Sequence, residues 1–453
     1  DRGNGWGTEP WCQEEMPLSD AFVADAAAHS DLALIILGRT AGEDRDNTLQ
    51  EGSYYLTQAE RKMLKIVCAA FSRTVVVLNV GNIMDMSWVD DYQPSSVLYV
   101  WQGGQEGGRA TVDVLTGKVN PGGKLSDTIA EDIEDYPSTE NFGDPVENFY
   151  TEDIYVGYRY FETFARDKVK YPFGFGLSYT RFQTESMGLA VQGTEATVIE
   201  KVTNVGGMSG RETIQVYVEA PQGKLGKPLR QLAAYAKTEE LKPGASEELI
   251  LKAELTELAS YDDSGVTGHK SCYVLEAGDY IFYVGTDVRS AREVGRVTLA
   301  ELQVVRTATE ALAPVQAFKR LRPFFFGCHR QLGGCALTDH RSGGTYFAGK
   351  TYPERICGRS GLETGGCLRQ KNHAGAVSDT AVRRRSDLYD PWRRHVFSES
   401  NTWNGSSFRR CDGWTAAIRY SGGLLFRWSF RHPYGLRYHG LCTAERYVAG
   451  MYL

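Results

Sequence analysis

Three clusters of polar side chains each follow a short apolar run in the first 110 residues of the chain. They combine carboxylates, side-chain amides and arginine with a tryptophan, and several lie between closely spaced glycines. An aromatic face together with planar hydrogen-bonding groups suits a polyhydroxylated ligand, so the clusters predict a site for a sugar ring. Their members are Glu43, Asp44, Arg45, Asp46, Asp85, Trp88, Gln102, Gln105, Glu106 and Arg109.

The apolar runs ahead of the clusters are short and continuous, as in strands that are buried on both faces of a parallel sheet. They read LALIIL at 32–37, TVVVLNV at 74–80 and VLYVW at 97–101. In an open α/β domain, ligands bind outside the carboxyl ends of the strands, which is where all three polar clusters lie.

Helical signals separate these runs. Thr57 and Glu60 form a T-x-x-E capping box ahead of apolar residues with the spacing of one helical face, Met63, Leu64, Val67 and Phe71. Residues 106–115 predict another helix, with Gly117 as its C-cap. The alternation of strands and helices predicts an α/β domain with a mostly parallel sheet.

Plainer interpretations of the polar clusters stay open on these observations alone. A glutamate in a polar loop is most often a solvated charge, and the glycines of GGQEGG at 103–108 suit a tight turn into a helix. A phosphate-binding loop is disfavoured because no G-x-G-x-x-G follows the first strand and no G-K-[ST] occurs. A flavodoxin-like nucleotide binder is therefore the weaker alternative.

From Arg181 onward the hydrophobic pattern changes to a period of two. Alternating runs, separated by turn residues such as Gly206-Gly207 and Pro243-Gly244, predict half-buried strands of a two-sheet sandwich. These runs read VIEKVTNVG, ETIQVYVEA, EELILKAEL and YIFYVGTD. The region carries no catalytic signal.

Long motifs in residues 30–182 resemble, in order, the α/β-sandwich domain of glycoside hydrolase family 3, the β-glucosidases and their relatives. They read ILGRTAGEDRDN, EGSYYLT, VVVLNVGNIMDMSW, VLYVWQGGQEGGRATVDVLTGKVNPGGKLSDTI, YTEDIYVGYRYFETF and YPFGFGLSYTRF. VTNVGGMSGRETIQVYVEAP and KPLRQLAAYAKTEELKPG resemble the fibronectin type III-like domain that accompanies this family.

The resemblance implies a retaining glycosidase that acts on β-linked glucosides or related sugars without a cofactor or metal. The acid/base glutamate of the family matches Glu43, although Asp44 and Arg45 replace the Gly-Tyr of the family motif GEGYDR. The nucleophilic aspartate belongs to a separate barrel domain. We expect substrate contacts from the remaining edge residues, which are Arg45, Asp46, Trp88, Gln102, Gln105 and Glu106.

The last third of the chain has a different composition. Residues 324–453 hold 17 Arg and 2 Lys against 9 acids, a net charge of 19 − 9 = +10, whereas residues 1–323 carry −17. A metal site is disfavoured because no C-x-x-C or H-x₃₋₅-H pair occurs. A nucleic-acid-binding tail is disfavoured because no helix face or aromatic platform organises the charge.

A shift of the reading frame offers a third explanation of this segment. Read one nucleotide later, residues 373–453 can encode a sequence that resembles the start of the family's catalytic barrel, including DGPSGIR. Tryptophan has the single codon TGG, which this shift must turn into a glycine codon. All four tryptophans of the segment fall on glycines of the restored sequence; they are Trp392, Trp403, Trp414 and Trp428. The hypothesis is an inverted domain order, with the barrel last and its nucleophile absent.

The sequence therefore predicts an α/β domain at 1–180, a fibronectin type III-like domain at 181–308, and a linker with an aberrant barrel remnant at 309–453. It predicts a carbohydrate substrate, no nucleic acid and no membrane contact, and leaves the oligomeric state open. The N-terminus lacks both an initiating Met and a signal peptide, which favours a clipped chain and a cytoplasmic location. The alternative function is a non-catalytic carbohydrate-binding or scaffolding pair of domains.

Overall fold

The computed structural model of the chain describes residues 10, 12–40, 47–144, 146–310, 313 and 318–325, and the backbone of four later strands. The helices are α1 Asp20–His29, α2 Gln58–Ala70, α3 Trp88–Tyr92, α4 Gly107–Leu115 and α5 Tyr158–Phe164. The first strands are β1 Leu32–Gly38, β2 Arg73–Asn79, β3 Ser96–Tyr99, β4 Ile129–Ala130 and β5 Val169–Tyr171.

The next ten strands are β6 Phe182–Gln192, β7 Glu195–Asn204, β8 Thr213–Glu219, β9 Gln231–Lys237, β10 Ser246–Glu254, β11 Ser260–Asp262, β12 Cys272–Leu275, β13 Gly278–Gly285, β14 Arg292–Leu299 and β15 Gln303–Thr307. The remaining strands are β16 Lys319–Phe325, β17 Leu332–Asp339, β18 Thr345–Phe347, β19 Trp428–Arg431 and β20 Arg437–Gly440. No helix among the described residues is long and apolar enough to cross a bilayer.

The α/β domain contains the parallel sheet that its sequence predicts, in the order β1-β2-β3. The central strand β2 is buried from Thr74 to Leu78, whereas the side chains of β1 alternate between buried and half-buried, as expected of an edge strand. Leu64, Val67 and Phe71 of the predicted helical face are buried against the sheet.

The caps predicted for the helices of this domain are present. The Thr57 hydroxyl accepts a hydrogen bond from the Glu60 amide over 3.1 Å, and the Glu60 carboxylate accepts one from the Thr57 amide over 2.8 Å. A 3₁₀ turn at Gly104–Glu106 precedes α4, and Gly117 adopts φ +71° directly after that helix ends. The local signals in the sequence therefore fix where the helices begin and end.

The β-sandwich domain consists of antiparallel sheets in the orders β10-β7-β6, β14-β13-β8-β9 and β11-β12-β15. The predicted alternation holds for β7, β10 and β13, whose buried side chains form one apolar core. Strand β8 departs from it, because every residue from Thr213 to Glu219 is buried. The reason is tertiary: part of the α/β domain covers the outer face of this strand.

Several contacts hold the α/β domain against the outer face of β8. The ring of Tyr158 in α5 meets the ring of Tyr217 in β8 edge-on, and the Tyr158 hydroxyl accepts a hydrogen bond from the Leu232 amide over 2.9 Å. Lys124 pairs with Glu212 at 2.8 Å, where both side chains are largely buried. The two domains therefore share a polar and aromatic interface.

Part of the predicted linker is docked onto both domains rather than extended into solvent. We call residues 318–323 the strap. The Arg320 guanidinium donates two hydrogen bonds to Asp263 of the β-sandwich domain, over 2.7 and 2.9 Å, and lies 3.3 Å from Asp153 of the α/β domain. The Leu321 amide donates to the Thr151 carbonyl over 2.7 Å, and Pro323 is buried against Gly226.

Candidate functional site

The carboxyl ends of β1, β2 and β3 meet at one edge of the parallel sheet, which we call the carboxyl edge. Residues 39–40, 80–85 and 100–106 follow the three strands there. The segment 41–46 lies outside the described residues, and with it Glu43, Asp44, Arg45 and Asp46 of the predicted site. The described residues on either side of that segment, Thr40 and Asn47, define where it leaves and rejoins the edge.

Arg39 is the first residue after β1, and its side chain is 5% exposed. Nη1 and Nη2 donate to the two carboxylate oxygens of Glu60, over 2.6 and 3.0 Å, in the bidentate geometry that makes arginine–carboxylate pairs strong. Nε donates to the Ser53 carbonyl over 3.1 Å, and Nη2 also donates to the Tyr55 carbonyl over 3.4 Å. Arg39 thus joins the end of β1 to the chain that returns after residue 47.

The returning chain is also tied to the loop after β2. Asn47 donates to the Ile83 carbonyl over 3.1 Å and accepts a hydrogen bond from Asn82 over 3.3 Å. The Asp85 amide donates to the Tyr54 carbonyl over 3.0 Å. The loops after the first two strands therefore form one hydrogen-bonded surface at the carboxyl edge.

Trp88 was expected to offer its ring to a sugar, but the structure places it in the core. Its side chain is 2% exposed, packs with the core of the α/β domain, and donates its indole N–H to the Asp85 carbonyl over 2.8 Å. Asp85 is also buried, and its carboxylate accepts hydrogen bonds from the amide and hydroxyl of Ser87. Both residues therefore build the turn after β2 and have no surface for a ligand.

The predicted contacts after β3 lie in solvent. Gln102, Gln105 and Glu106 are exposed, and the Glu106 carboxylate lies 3.7 Å from the equally exposed Arg109. The Gln102 amide packs on Gly81, since a Cβ built on that glycine would lie 3.0 Å from its Cδ. The structure therefore brings Gln102 next to the loop after β2. Contact of Gln102, Gln105 and Glu106 with a substrate stays a prediction.

The glycines of GGQEGG shape this loop. A Cβ on Gly103 would lie 2.6 Å from the Cα of Gly107, closer than real Cβ atoms approach backbone, and Gly104 has φ +63°. A side chain at either position would alter the turn that presents Gln105 and Glu106. The prediction that these glycines allow a tight turn into a helix is therefore confirmed.

An aromatic residue that sequence reasoning had assigned only to a strand also lies at the carboxyl edge. Trp101 has φ +54°, an uncommon backbone conformation for a bulky residue, and its half-buried ring packs on Tyr99 with 4.4 Å between centroids. Such strain is often found at functional sites. Its position directly before Gln102 was the signal in the sequence that could have identified it as a site residue. Trp101 therefore replaces Trp88 as the candidate for an aromatic contact with a sugar at this edge.

Three tyrosines lie near this edge; Tyr54 is buried, and Tyr99 and Tyr136 are half-buried. Burial raises the pKa of Tyr54, Tyr99 and Tyr136 above the ordinary value of a phenol. The Tyr99 hydroxyl donates to the Asn82 carbonyl over 2.6 Å, whereas the Tyr54 hydroxyl has no hydrogen-bond partner among the described residues. The three phenols stay neutral near pH 7, so none of them serves as a base.

The described residues contain no group of three or more His, Cys, Asp or Glu side chains that could hold a metal ion.

Residues 17–179, which include the whole carboxyl edge, match the C-terminal domain of glycosyl hydrolase family 3. Residues 212–288 match the fibronectin type III-like domain. The chain carries a C-terminal domain of glycosyl hydrolase family 3 and a fibronectin type III-like domain. The predicted family and the predicted combination of an α/β domain with a fibronectin-like sandwich are thereby confirmed.

The family 3 relatives of this chain include β-glucosidases. A β-glucosidase of Ruminococcus albus is 51% identical over 321 residues, which are 71% of this chain and 34% of the relative. Beta-glucosidase A of Butyrivibrio fibrisolvens is 42% identical over 70% of this chain and 43% of the relative. A solved β-glucosidase of Paenibacillus barengoltzii superimposes with a TM-score of 0.72 at 52% identity, covering 74% of this chain and 38% of that one. The chain thus spans between a third and a half of the length of these relatives.

Proposed function

We propose that this chain is the acid/base-bearing part of a retaining β-glucosidase-like glycoside hydrolase. The observation that supports the proposal is the family 3 match over residues 17–179, a range that includes Glu43. The sequence motif GRTAGEDRDN resembles the acid/base motif of the family, and Glu43 is proposed as the acid/base on that resemblance. The described ends of the segment that contains Glu43 are held at the carboxyl edge, where open α/β sheets bind their ligands.

Retention of configuration needs two carboxyl groups about 5–5.5 Å apart. In the proposed mechanism Glu43 first donates its proton to the leaving oxygen, while an aspartate attacks the anomeric carbon and forms a glycosyl-enzyme. Glu43 then removes a proton from water, which attacks the same carbon and releases the sugar. The attacking aspartate belongs to a barrel that follows in the restored reading frame, so the 453-residue chain alone has no useful activity.

The residues after β3 supply the proposed substrate contacts. Gln102 and Gln105 carry amides, and Glu106 a carboxylate, that can bind sugar hydroxyls from the exposed loop at the edge. Arg45 and Asp46 follow Glu43 in the sequence and are proposed to contact the same sugar. Most ring contacts come from the barrel, so the loops of this chain do not determine whether glucose or a related sugar is preferred.

The test begins with the nucleotide sequence around the codons for residues 318–330. A protein expressed after restoration of the reading frame should hydrolyse a chromogenic β-glucoside, and Glu43→Gln should abolish the reaction. Glu51→Gln is the matched control, because the Glu51 carboxylate is about half exposed and lies in the same part of the chain. Proton NMR of the first-formed product should show the β-anomer.

The rival function, a non-catalytic carbohydrate-binding pair of domains, predicts the opposite outcome. The frame-restored protein would then bind a β-glucoside without hydrolysing it, and Glu43→Gln would change affinity only. Appreciable turnover by the 453-residue chain itself would also contradict the proposal, since it would require a nucleophile within this sequence.

A further inference from the structure

The guanidinium of Arg39 has five N–H groups, and the structure gives each of them an acceptor. Nη1 donates to the Gly38 carbonyl and to Glu60, Nη2 to Glu60 and to the Tyr55 carbonyl, and Nε to the Ser53 carbonyl. Its partner Glu60 is 1% exposed. Every N–H group of the Arg39 guanidinium is therefore paired within the protein, and none is left over for a substrate.

The acceptors of Arg39 lie on both sides of the segment that contains Glu43. Gly38 ends the strand that leads into this segment, whereas Ser53 and Tyr55 belong to the chain that returns from it. Glu60 belongs to the first turn of α2 and is itself fixed by the capping box with Thr57. One side chain thus connects the outgoing chain, the returning chain and the start of a helix.

We propose that Arg39 is the positioning residue of the acid/base segment, an inference that rests on the proposed function. Its fork holds the two ends of the segment at a fixed separation, and the rigid ends limit the orientations open to a carboxyl group between them. Lysine keeps the charge opposite Glu60 but has no fork, so it cannot bind the carboxylate and the two carbonyls together.

A positioning role and a merely structural role differ in how they affect different leaving groups. A phenolate of high pKa needs a proton from the acid as it departs, whereas 2,4-dinitrophenolate departs without one. Loss of acid positioning therefore slows the first class of substrate selectively. A general loss of folded protein slows both classes equally.

The first experiment uses the frame-restored protein with Arg39→Lys. We expect kcat/KM for phenyl β-glucoside to fall about tenfold more than that for 2,4-dinitrophenyl β-glucoside. Arg230→Lys is the matched control, because Arg230 also pairs with a buried glutamate, Glu219, but within the β-sandwich domain. It should affect both substrates alike.

An equal loss for both substrates in Arg39→Lys, alongside a selective loss in Glu43→Gln, would overturn the inference and leave the proposed function intact. Absence of hydrolysis by the frame-restored protein would instead refute the proposed function. The role of Arg39 in the fold is then decided by the second experiment.

The second experiment uses the 453-residue chain and hydrogen exchange. The Gly52 amide bonds to the Tyr55 carbonyl, and the Asp85 amide bonds to the Tyr54 carbonyl, so both report on the returning chain. Arg39→Lys should speed their exchange about tenfold and leave β2 amides such as Val76 unchanged. Equal acceleration across β2 would mean global destabilisation, and no acceleration would mean that Arg39 does not hold the segment; either result overturns the inference.

Discussion

Glu162 of α5 and Arg289 of the β-sandwich domain form an ion pair across the boundary between the two domains. The Arg289 Nε donates to Glu162 Oε1 over 2.6 Å, and the carboxylate is buried. Arg166 approaches the other carboxylate oxygen, with 3.1 Å between Nε and Oε2. A buried carboxylate shared by two arginines couples the folding of the domains, because its removal leaves both cations without their partner.

We expect Glu162→Ala to lower the free energy of unfolding of the chain by about 2–3 kcal/mol, at the lower end for a broken buried pair because both arginines are partly exposed. Thermal unfolding followed by circular dichroism measures the loss. The control is Glu293→Ala, which breaks an exposed pair with Arg296 and should cost less than about 0.5 kcal/mol. Equal costs for the two variants would show that the boundary pair does not couple the domains.

The strap makes the next prediction. Arg320→Ala removes the bidentate bond to Asp263 and the approach to Asp153, so residues 318–323 should detach and become sensitive to proteases. Limited proteolysis with mass spectrometry should show a core that retains the strap in the unmodified chain and loses it in the variant. Lys319→Ala is the control, because the neighbouring Lys319 is exposed. A strap that is cut equally fast in all three proteins would contradict its docking.

Two glycines of the GGQEGG sequence, one in the loop after β3 and one in α4, should respond to alanine in opposite directions. Gly103→Ala places a Cβ against the Gly107 backbone and should cost about 1–3 kcal/mol of stability. Gly108 lies within α4 with open space around its Cβ position, so Gly108→Ala should stabilise the protein by about 0.4–1 kcal/mol. Urea unfolding of both variants tests the pair, and destabilisation by Gly108→Ala would mean that the helix surface is covered.

Glu200 gives the chain a pH-dependent stability. It lies on the buried face of β7 between Val198 and Val202, and its Oε2 has no hydrogen-bond partner among the described residues. Burial raises the pKa of this carboxyl above its ordinary value of 4.5. The folded state therefore holds the proton to higher pH than the unfolded state, and stability falls as pH rises through that interval.

Glu200→Gln removes this titration. We expect the variant to be about 1 kcal/mol more stable than the unmodified chain at pH 7 and no more stable at pH 4, where the native carboxyl is protonated. Thermal unfolding at the two pH values measures the difference. A loss of stability at pH 7 would show that the charged carboxylate is stabilised in the fold.

The elements that depend on local sequence could be predicted, and those that depend on distant partners could not. The three strands and the Thr57–Glu60 box follow from short-range pattern, because each signal lies within a few residues. The pairing of Arg39 with Glu60 joins residues 21 positions apart, and nothing in either local sequence indicates it. The burial of Trp88 escaped prediction because a tryptophan after a strand suits a core as well as a sugar site.

Tertiary packing also explains the departures in the β-sandwich domain. The alternating pattern of ETIQVYVEA predicts one solvent-facing side, but Gln215 and Tyr217 are buried under the α/β domain, where the Tyr217 hydroxyl donates to Gln215 over 2.5 Å. The polar residues on that side of β8 suggested that it is exposed to solvent, but they lie in the interface between the two domains. The role of Glu43 stays a prediction from the family motif.

The strap also determines where the polypeptide that follows it is attached. If residues 309–323 were a free linker, their root-mean-square span would be about 21 Å, and the following residues would start anywhere in a large volume around the β-sandwich domain. Docking through Arg320, Leu321 and Pro323 moves the attachment point to the boundary between the β-sandwich domain and the α/β domain. The polypeptide after Phe325 therefore starts from a fixed origin, which raises its effective concentration beside both domains without any additional affinity for them.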